Sequence, residues 1–310
     1  MKTAMLETRS VVSLKKILFA TDFSTASMHA LPLAARLARS YKSKLSIVHI
    51  WSSLPPVLTG PQFGLDPIPP VIEYDRAEMF ARNEIEKILN RKELKGLAAK
   101  GIVHSGAPVD EIARIVREQE FDLLVIGTHG QTGFKHMVMG SVAEDVCRKV
   151  SCPVLTVGPN VEHRFASLET LEHILVPTDL SEESRAVLPY IASLAEEYES
   201  RVTVLHVLPP EIAGNPDRDT LLSPLRQQMH RYCAPILGRE CRAAYRFEYG
   251  DPAAVIRSVA KETDSGLIAL GVREAFPFIT QLHTTIPYMV IAGAPCPVLT
   301  VKTDNNIKEN

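Results

Sequence analysis

A chain of 310 residues, 45% hydrophobic and 23% charged, has room for two ordinary globular domains. Its formal net charge of -2, with no basic stripe and no aromatic-interleaved patch, argues against a nucleic-acid binder. No apolar run approaches the ~20 residues of a membrane helix, and Glu7, Arg9 and Ser10 interrupt any signal-peptide core, so a cytoplasmic protein is expected.

Taken in chain order, the first element is a buried strand over Lys16–Ala20, followed by Ser24 as a helix N-cap. Ala30, Leu33, Ala34, Leu37 and Ala38 then recur at helical spacing, with Pro32 expected to kink the helix. A second strand over Leu45–Ile50 leads into the stretch between Leu54 and Pro70, where five prolines and two glycines spell a loop. A long helix over Asp75–Lys95, a short strand near Ile102–His104 and a helix opened by Pro108 follow. Leu123–Ile126 is a fully apolar strand, a helix is expected from Val142, and Val154–Val157 closes the series.

The series then starts again. Ile17–Ser24 returns as Ile174–Ser181 with five of eight positions identical, offset by 157 residues. Cys152–Val157 returns unchanged as Cys296–Val301, offset by 144, so the first half carries 13 extra residues, placed in the proline-rich loop. The second half repeats the strands as Val202–Val207 and Leu267–Leu270, places Pro189 where the first has Pro32, and opens a helix at Pro252 under an Asp251 cap. The domains are read as 1–158 and 159–310. Each is an α/β, doubly wound, five-stranded parallel sheet of Rossmann-like type, because near-continuous apolar strands need cover on both faces.

Five cysteines, odd in number and without a CxxC pair, read as reduced thiols, and no short-spaced Cys or His cluster suggests a metal. On doubly wound sheets ligands sit at the carboxyl ends of the strands. Three groups converge there in the first half: Ala20, Thr21 and Asp22 after strand one, Ile50 ending strand two, and a glycine loop after strand four. That loop runs Gly127, two residues, Gly130, nine residues, Gly140, Ser141, and leads into a helix. Glycines let a backbone approach an anion closely, and a helix start offers unpaired N–H groups to phosphate. Ser141 is read as a cap that can also donate its hydroxyl. Lys135 and His136 lie inside the loop, but no Walker A pattern does, and His49 and His206 read as satisfied strand histidines.

This spacing, the Thr21-Asp22-Phe23-Ser24 turn and the Cys152–Val157 closing strand resemble the nucleotide-binding branch of the universal stress protein family, over nearly the whole chain, twice. The resemblance implies that ATP, ADP or AMP binds to the first half. Asp22 would meet the ribose or the adenine side and Ile50 the adenine edge through its backbone. Gly127 would approach the ribose, His129 would lend mainly its backbone, and Gly130, Gly140, Ser141 and Val142 would hold the phosphates, with Mg²⁺ as their companion. Asp110 and Glu111 open a helix, where acidic residues favour the dipole, and are not read as an acid/base pair. No general base is recognisable, so a regulatory or stress-response binding role is expected, with a slow ATPase or phosphoryl-transfer enzyme as the alternative.

The second half departs at the decisive places: Gly130 becomes Glu274, Gly140 becomes Thr284 and Ser141 becomes Thr285. A carboxylate in place of a phosphate contact repels by about 1–4 kcal/mol at ~4 Å, so the second half is expected to be nucleotide-free. The proline-rich insert leaves the end of strand two and is a candidate lid over the base. The closing strands Val154–Val157 and Val298–Val301 should each lie at a sheet edge and are expected to pair as an intramolecular pseudo-dimer, a homodimer then using other surfaces.

Overall fold

Strands buried on both faces form the centre of each unit. In the computed structural model, which describes residues 12–51, 70–128, 139–162, 171–238, 241, 243–273 and 285–303, the chain divides into units Leu14–Leu168 and Glu169–Asn310. The first runs β1 (Lys16–Ala20), α1 (Thr25–Met28), α2 (Leu31–Ser40), β2 (Lys44–Trp51), α3 (Pro70–Leu89), β3 (Ala99–Ser105), α4 (Pro108–Glu118), β4 (Leu123–Gly127), α5 (Ser141–Lys149) and β5 (Val154–Val157). The second repeats it as β6 (His173–Pro177), α6 (Glu182–Arg185), α7 (Leu188–Tyr198), β7 (Arg201–Leu208), α8 (Arg218–Leu237), β8 (Ala243–Tyr249), α9 (Pro252–Glu262), β9 (Leu267–Val272), α10 (Ile286–Gly293) and β10 (Val298–Lys302).

Within the first unit the strand order is β3-β2-β1-β4-β5, every neighbour parallel. The second has β8-β7-β6-β9-β10, again all parallel. In each, the order reverses beside the first strand, which makes the gap between β1 and β4, or β6 and β9, the switch point. Ile17, Leu18, Phe19, Leu124 and Val125 are wholly buried, as central strands covered by helices on both faces must be. The helices supply apolar stripes at helical spacing: Leu33, Ala34 and Leu37 from α2, Ala81, Ile85 and Ile88 from α3, and Ile112, Ile115 and Val116 from α4.

Two expectations change in detail. Pro32 and Pro189 do not kink one helix but divide two, each standing in the first turn of α2 or α7. A proline lacks the N–H that would continue the preceding helix and crowds the carbonyl four residues back, so α1 ends at Met28 and α6 at Arg185. The long helix runs Pro70–Leu89 and ends well before Lys95, because Arg91 turns extended (φ -69, ψ 148) and a 3₁₀ turn over Lys92–Leu94 delivers Leu94 to the core.

The units also differ in their interiors. His173, buried in β6, places Nδ1 2.8 Å from the Ser265 hydroxyl and Nε2 2.8 Å from that of Thr203. Its counterpart in β1 is Lys16, whose ammonium donates to the Gln119 carbonyl (2.9 Å). Burial, helped by the charge of Arg201, holds the His173 pKa below the ordinary 6.5. The folded unit therefore keeps the imidazole neutral while the unfolded chain protonates it. Its contribution is fully present above pH ~6.5 and is lost as the pH falls below that value. His173→Gln, which cannot titrate, should flatten the drop in urea midpoint between about pH 7 and 5; an unchanged pH slope contradicts this assignment.

Candidate functional site

At the carboxyl edge of the first sheet β1 stops before β2. The last bond between them runs from the Thr21 N–H to the Val48 carbonyl (3.0 Å), whereas β2 stays in register with β3 as far as Trp51 opposite Ser105. Peptides along a strand alternate sides, so Ile50, two residues beyond Val48, turns its N–H and C=O toward the space that β1 has left. Ile50 itself is buried, which leaves its backbone as the recognition group.

The chain leaves β1 through a turn that satisfies itself. The Thr21 hydroxyl accepts from the Phe23 N–H (3.0 Å), Asp22 Oδ1 accepts from the Ser24 N–H (3.0 Å), and Ser24 Oγ caps α1 at the Ser27 N–H (3.0 Å). Phe23 takes the left-handed conformation (φ 66). Its ring stacks on His49 with centroids 4.0 Å apart and meets Phe80 of α3 edge-on at 6.3 Å. His49 Nδ1 lies 2.9 Å from the Thr21 carbonyl, and burial keeps its pKa below the ordinary value although that carbonyl and Asp22 act the other way. The second unit makes the same turn with Thr178, Asp179, Leu180 (φ 64) and Ser181, and the same histidine bond from His206 to Thr178 (2.7 Å). Asp22 is thus at the rim, partly exposed, with one oxygen committed to the turn, while Ala20 and Thr21 are buried beneath it.

β4 delivers the third group. A Cβ on Gly127 would lie 2.8 Å from the Ser27 Cα and 3.0 Å from the Ala26 carbonyl, so only glycine lets α1 pack against the strand end. The Thr128 N–H bonds the Val157 carbonyl (3.0 Å), and the Thr128 carbonyl accepts from the Gly140 N–H (2.7 Å), which ties the two ends of the loop together. α5 begins at Ser141, one residue earlier than expected, and Gly140 is its N-cap (φ -63, ψ 143). Ser141 is therefore the first helical residue and not the cap. With glycine at the cap there is no side-chain cap bond, and the first intrahelical bond is Glu144 N–H to Gly140 carbonyl (3.0 Å). The N–H groups of Ser141, Val142 and Ala143 have no intrahelical acceptor and stand where the dipole is positive. Ser141 and Val142 are exposed there.

In the second unit the described counterparts differ. Gly271 is kept, and its Cβ would meet the Glu183 carbonyl at 1.9 Å, the same helix-packing need as at Gly127. The helix starts one residue later, with Thr285 as N-cap and Pro287 in the first turn. Pro287 stands at the place of Ala143 and has no N–H to give. That residue escaped the sequence reading, although the Thr285-Ile286-Pro287 run carries the signal. Arg273, two residues past Gly271, pairs with Glu183 of α6 at 3.1 Å, and Tyr232 of α8 donates to the Ser181 carbonyl and lies 2.8 Å from the Ser184 hydroxyl. Burial, the leading cause, raises the pKa of Tyr232 and pushes the neighbouring Cys233 up to about 12.

His129, Gly130, Lys135, His136, Glu274, Thr284 and the insert proposed as a lid lie outside the described residues. Among the described residues no group of three or more His, Cys, Asp or Glu side chains could hold a metal ion, and no helix is long and apolar enough to cross a membrane. None of the five cysteines forms a disulfide. Because the kept glycine has a packing reason, Gly271→Ala should destabilise the second unit by about 1–3 kcal/mol. Chemical denaturation checks this; unchanged stability would show that α6 does not need the glycine.

Comparison with known proteins places these features in a family. Residues 13–158 and 170–302 each match the model of the universal stress protein family. Universal stress protein YxiE of Bacillus subtilis is 34% identical over 157 residues, 46% of this chain and 97% of that protein. Universal stress protein MJ0577 of Methanocaldococcus jannaschii is 29% identical over 156 residues, 47% of this chain and 96% of that one. The fold of a universal stress protein from Archaeoglobus fulgidus superposes with a TM-score of 0.71 at 18% identity, covering 93% of this chain and 98% of that one.

Proposed function

This chain belongs to the universal stress protein family, and from that premise we propose that its first unit binds one molecule of ATP, or a related adenine nucleotide, while its second unit binds none. The observation that carries the reading is the first turn of α5, which has no side-chain cap, with three backbone N–H groups offered beside a sheet edge where the Ile50 peptide lies beyond the last bond to β1. In this reading Ser141, Val142 and Ala143 donate to phosphate oxygens, with Gly130 and Gly140 keeping side chains out of the way. The Ile50 backbone takes the edge of the adenine, and Asp22, at the rim beside it, faces the ribose. The domains 1–158 and 159–310 act as an occupied and an empty partner in the cytoplasm, and occupancy biases a conformation or a protein contact in a stress response.

A binding role fits better than a dedicated enzyme. Hydrolysis needs a positioned base or water and charge clamps. Here His49 engages the Thr21 carbonyl and Asp22 Oδ1 the Ser24 N–H, so neither is poised as a base.

The pairing of the closing strands belongs to the same proposal. β5 and β10 each end the strand order of their own unit, and an apolar edge strand needs a cover. Lysine at Leu155 or Leu299 should loosen the chain and promote aggregation, measured by light scattering; a variant as monodisperse as the wild type removes this pairing.

Equilibrium dialysis should give a stoichiometry near one ATP per chain, and Gly130→Glu, which imports the residue of the second unit, should abolish binding with the fold retained. Two nucleotides per chain, or normal binding by that variant, would overturn the assignment.

A further inference from the structure

Beside the open edge stands an aromatic surface that the turn geometry does not need. Phe23 is held in its left-handed conformation by the Thr21 hydroxyl, and the second unit makes the same turn with Leu180. The Phe23 ring lies on His49, and Phe80 projects from α3 edge-on to it with 60% of its surface exposed, next to Met79 at 59%. Large apolar side chains left open side by side are costly unless something covers them. Phe23 directly follows Asp22, and His49 directly precedes Ile50, so this surface starts one residue from each group assigned to the base and ribose.

We infer that Phe80, backed by Phe23, is the wall against which the base of the bound nucleotide lies, and that it favours purine over pyrimidine nucleoside triphosphates. The inference rests on the nucleotide reading of the first unit and adds the residue that sets base preference. Ile50 can read only the hydrogen-bonding edge of a ring, and α5 only the phosphates. A flat apolar partner supplies the remaining contact, and base stacking on aromatic side chains grows with the area of the base. The second unit, with Leu180 in place of Phe23 and Tyr232 tied to Ser181 and Ser184, offers no such wall from these positions.

Because Phe80 is mostly exposed, its removal should leave the fold intact, which makes the test clean. ATP, CTP and inorganic tripolyphosphate would be titrated calorimetrically into the wild type, Phe80→Ala and Phe80→Tyr. Phe80→Ala should weaken ATP roughly five- to thirtyfold and shrink the preference for ATP over CTP, while Phe80→Tyr stays near wild type. Tripolyphosphate affinity should be the same in all three proteins. Equal ATP affinity in wild type and Phe80→Ala overturns the wall and leaves the nucleotide site standing. Loss of tripolyphosphate affinity in Phe80→Ala overturns the base-specific role, and a wild type that binds no ATP overturns the underlying reading together with this one.

Discussion

Every backbone N–H and C=O at the carboxyl edge of these sheets needs a partner, and that requirement organises the rest of the site. β1 stops at Ala20 while β2 continues to Trp51, which leaves the Ile50 peptide beyond the last bond between the two strands. α5 starts behind a glycine cap, which leaves three N–H groups without an intrahelical acceptor or a side-chain cap. One open peptide and one positive helix end, on opposite flanks of the switch point, are complementary to a ligand with a hydrogen-bonding ring at one end and phosphates at the other.

The second unit shows which of these features the same fold keeps and which it changes. It retains what packing demands: the Thr178–Ser184 turn, the His206 bond and Gly271 under α6. It has changed what packing does not demand. A proline in the first turn removes one of the N–H groups, and an arginine two residues past Gly271 pairs with Glu183. The comparison within one chain therefore separates two kinds of motif residue. Gly127 and the Asp22 turn recur because the fold needs them, whereas Gly130, Gly140 and Ser141 do not recur.

Much of this was legible in the residues. Apolar runs such as Leu123–Ile126 could only be central parallel strands, and the doubled Ile17–Ser24 motif announced two copies of one unit. The rest depended on contacts between distant residues. Nothing near Gly127 in the chain says that Ser27, one hundred residues earlier, packs against it, so a packing glycine reads as a ligand glycine. Gly140 and Ser141 are both acceptable N-caps, and only the extended backbone of Gly140 and the bond its carbonyl accepts from Glu144 decide between them. Pro32 predicted a disturbance in a helix, but whether it kinks or divides depends on where the core draws Leu31 and Leu33. Phe23 and Phe80 became neighbours only once α3 was laid over β2 and β3.

The central claim is that phosphate is held by the backbone of one helix start and not by its counterpart. Amide chemical shifts of the ¹⁵N-labelled chain, followed while ATP is added, test it most directly. The account predicts large, saturable shifts at Ser141, Val142 and Ala143 with Ile50 following, and none at Ile286 or Tyr288. Shifts at Ile286 and Tyr288, or silent amides in the first turn of α5 while ATP binds, would contradict it.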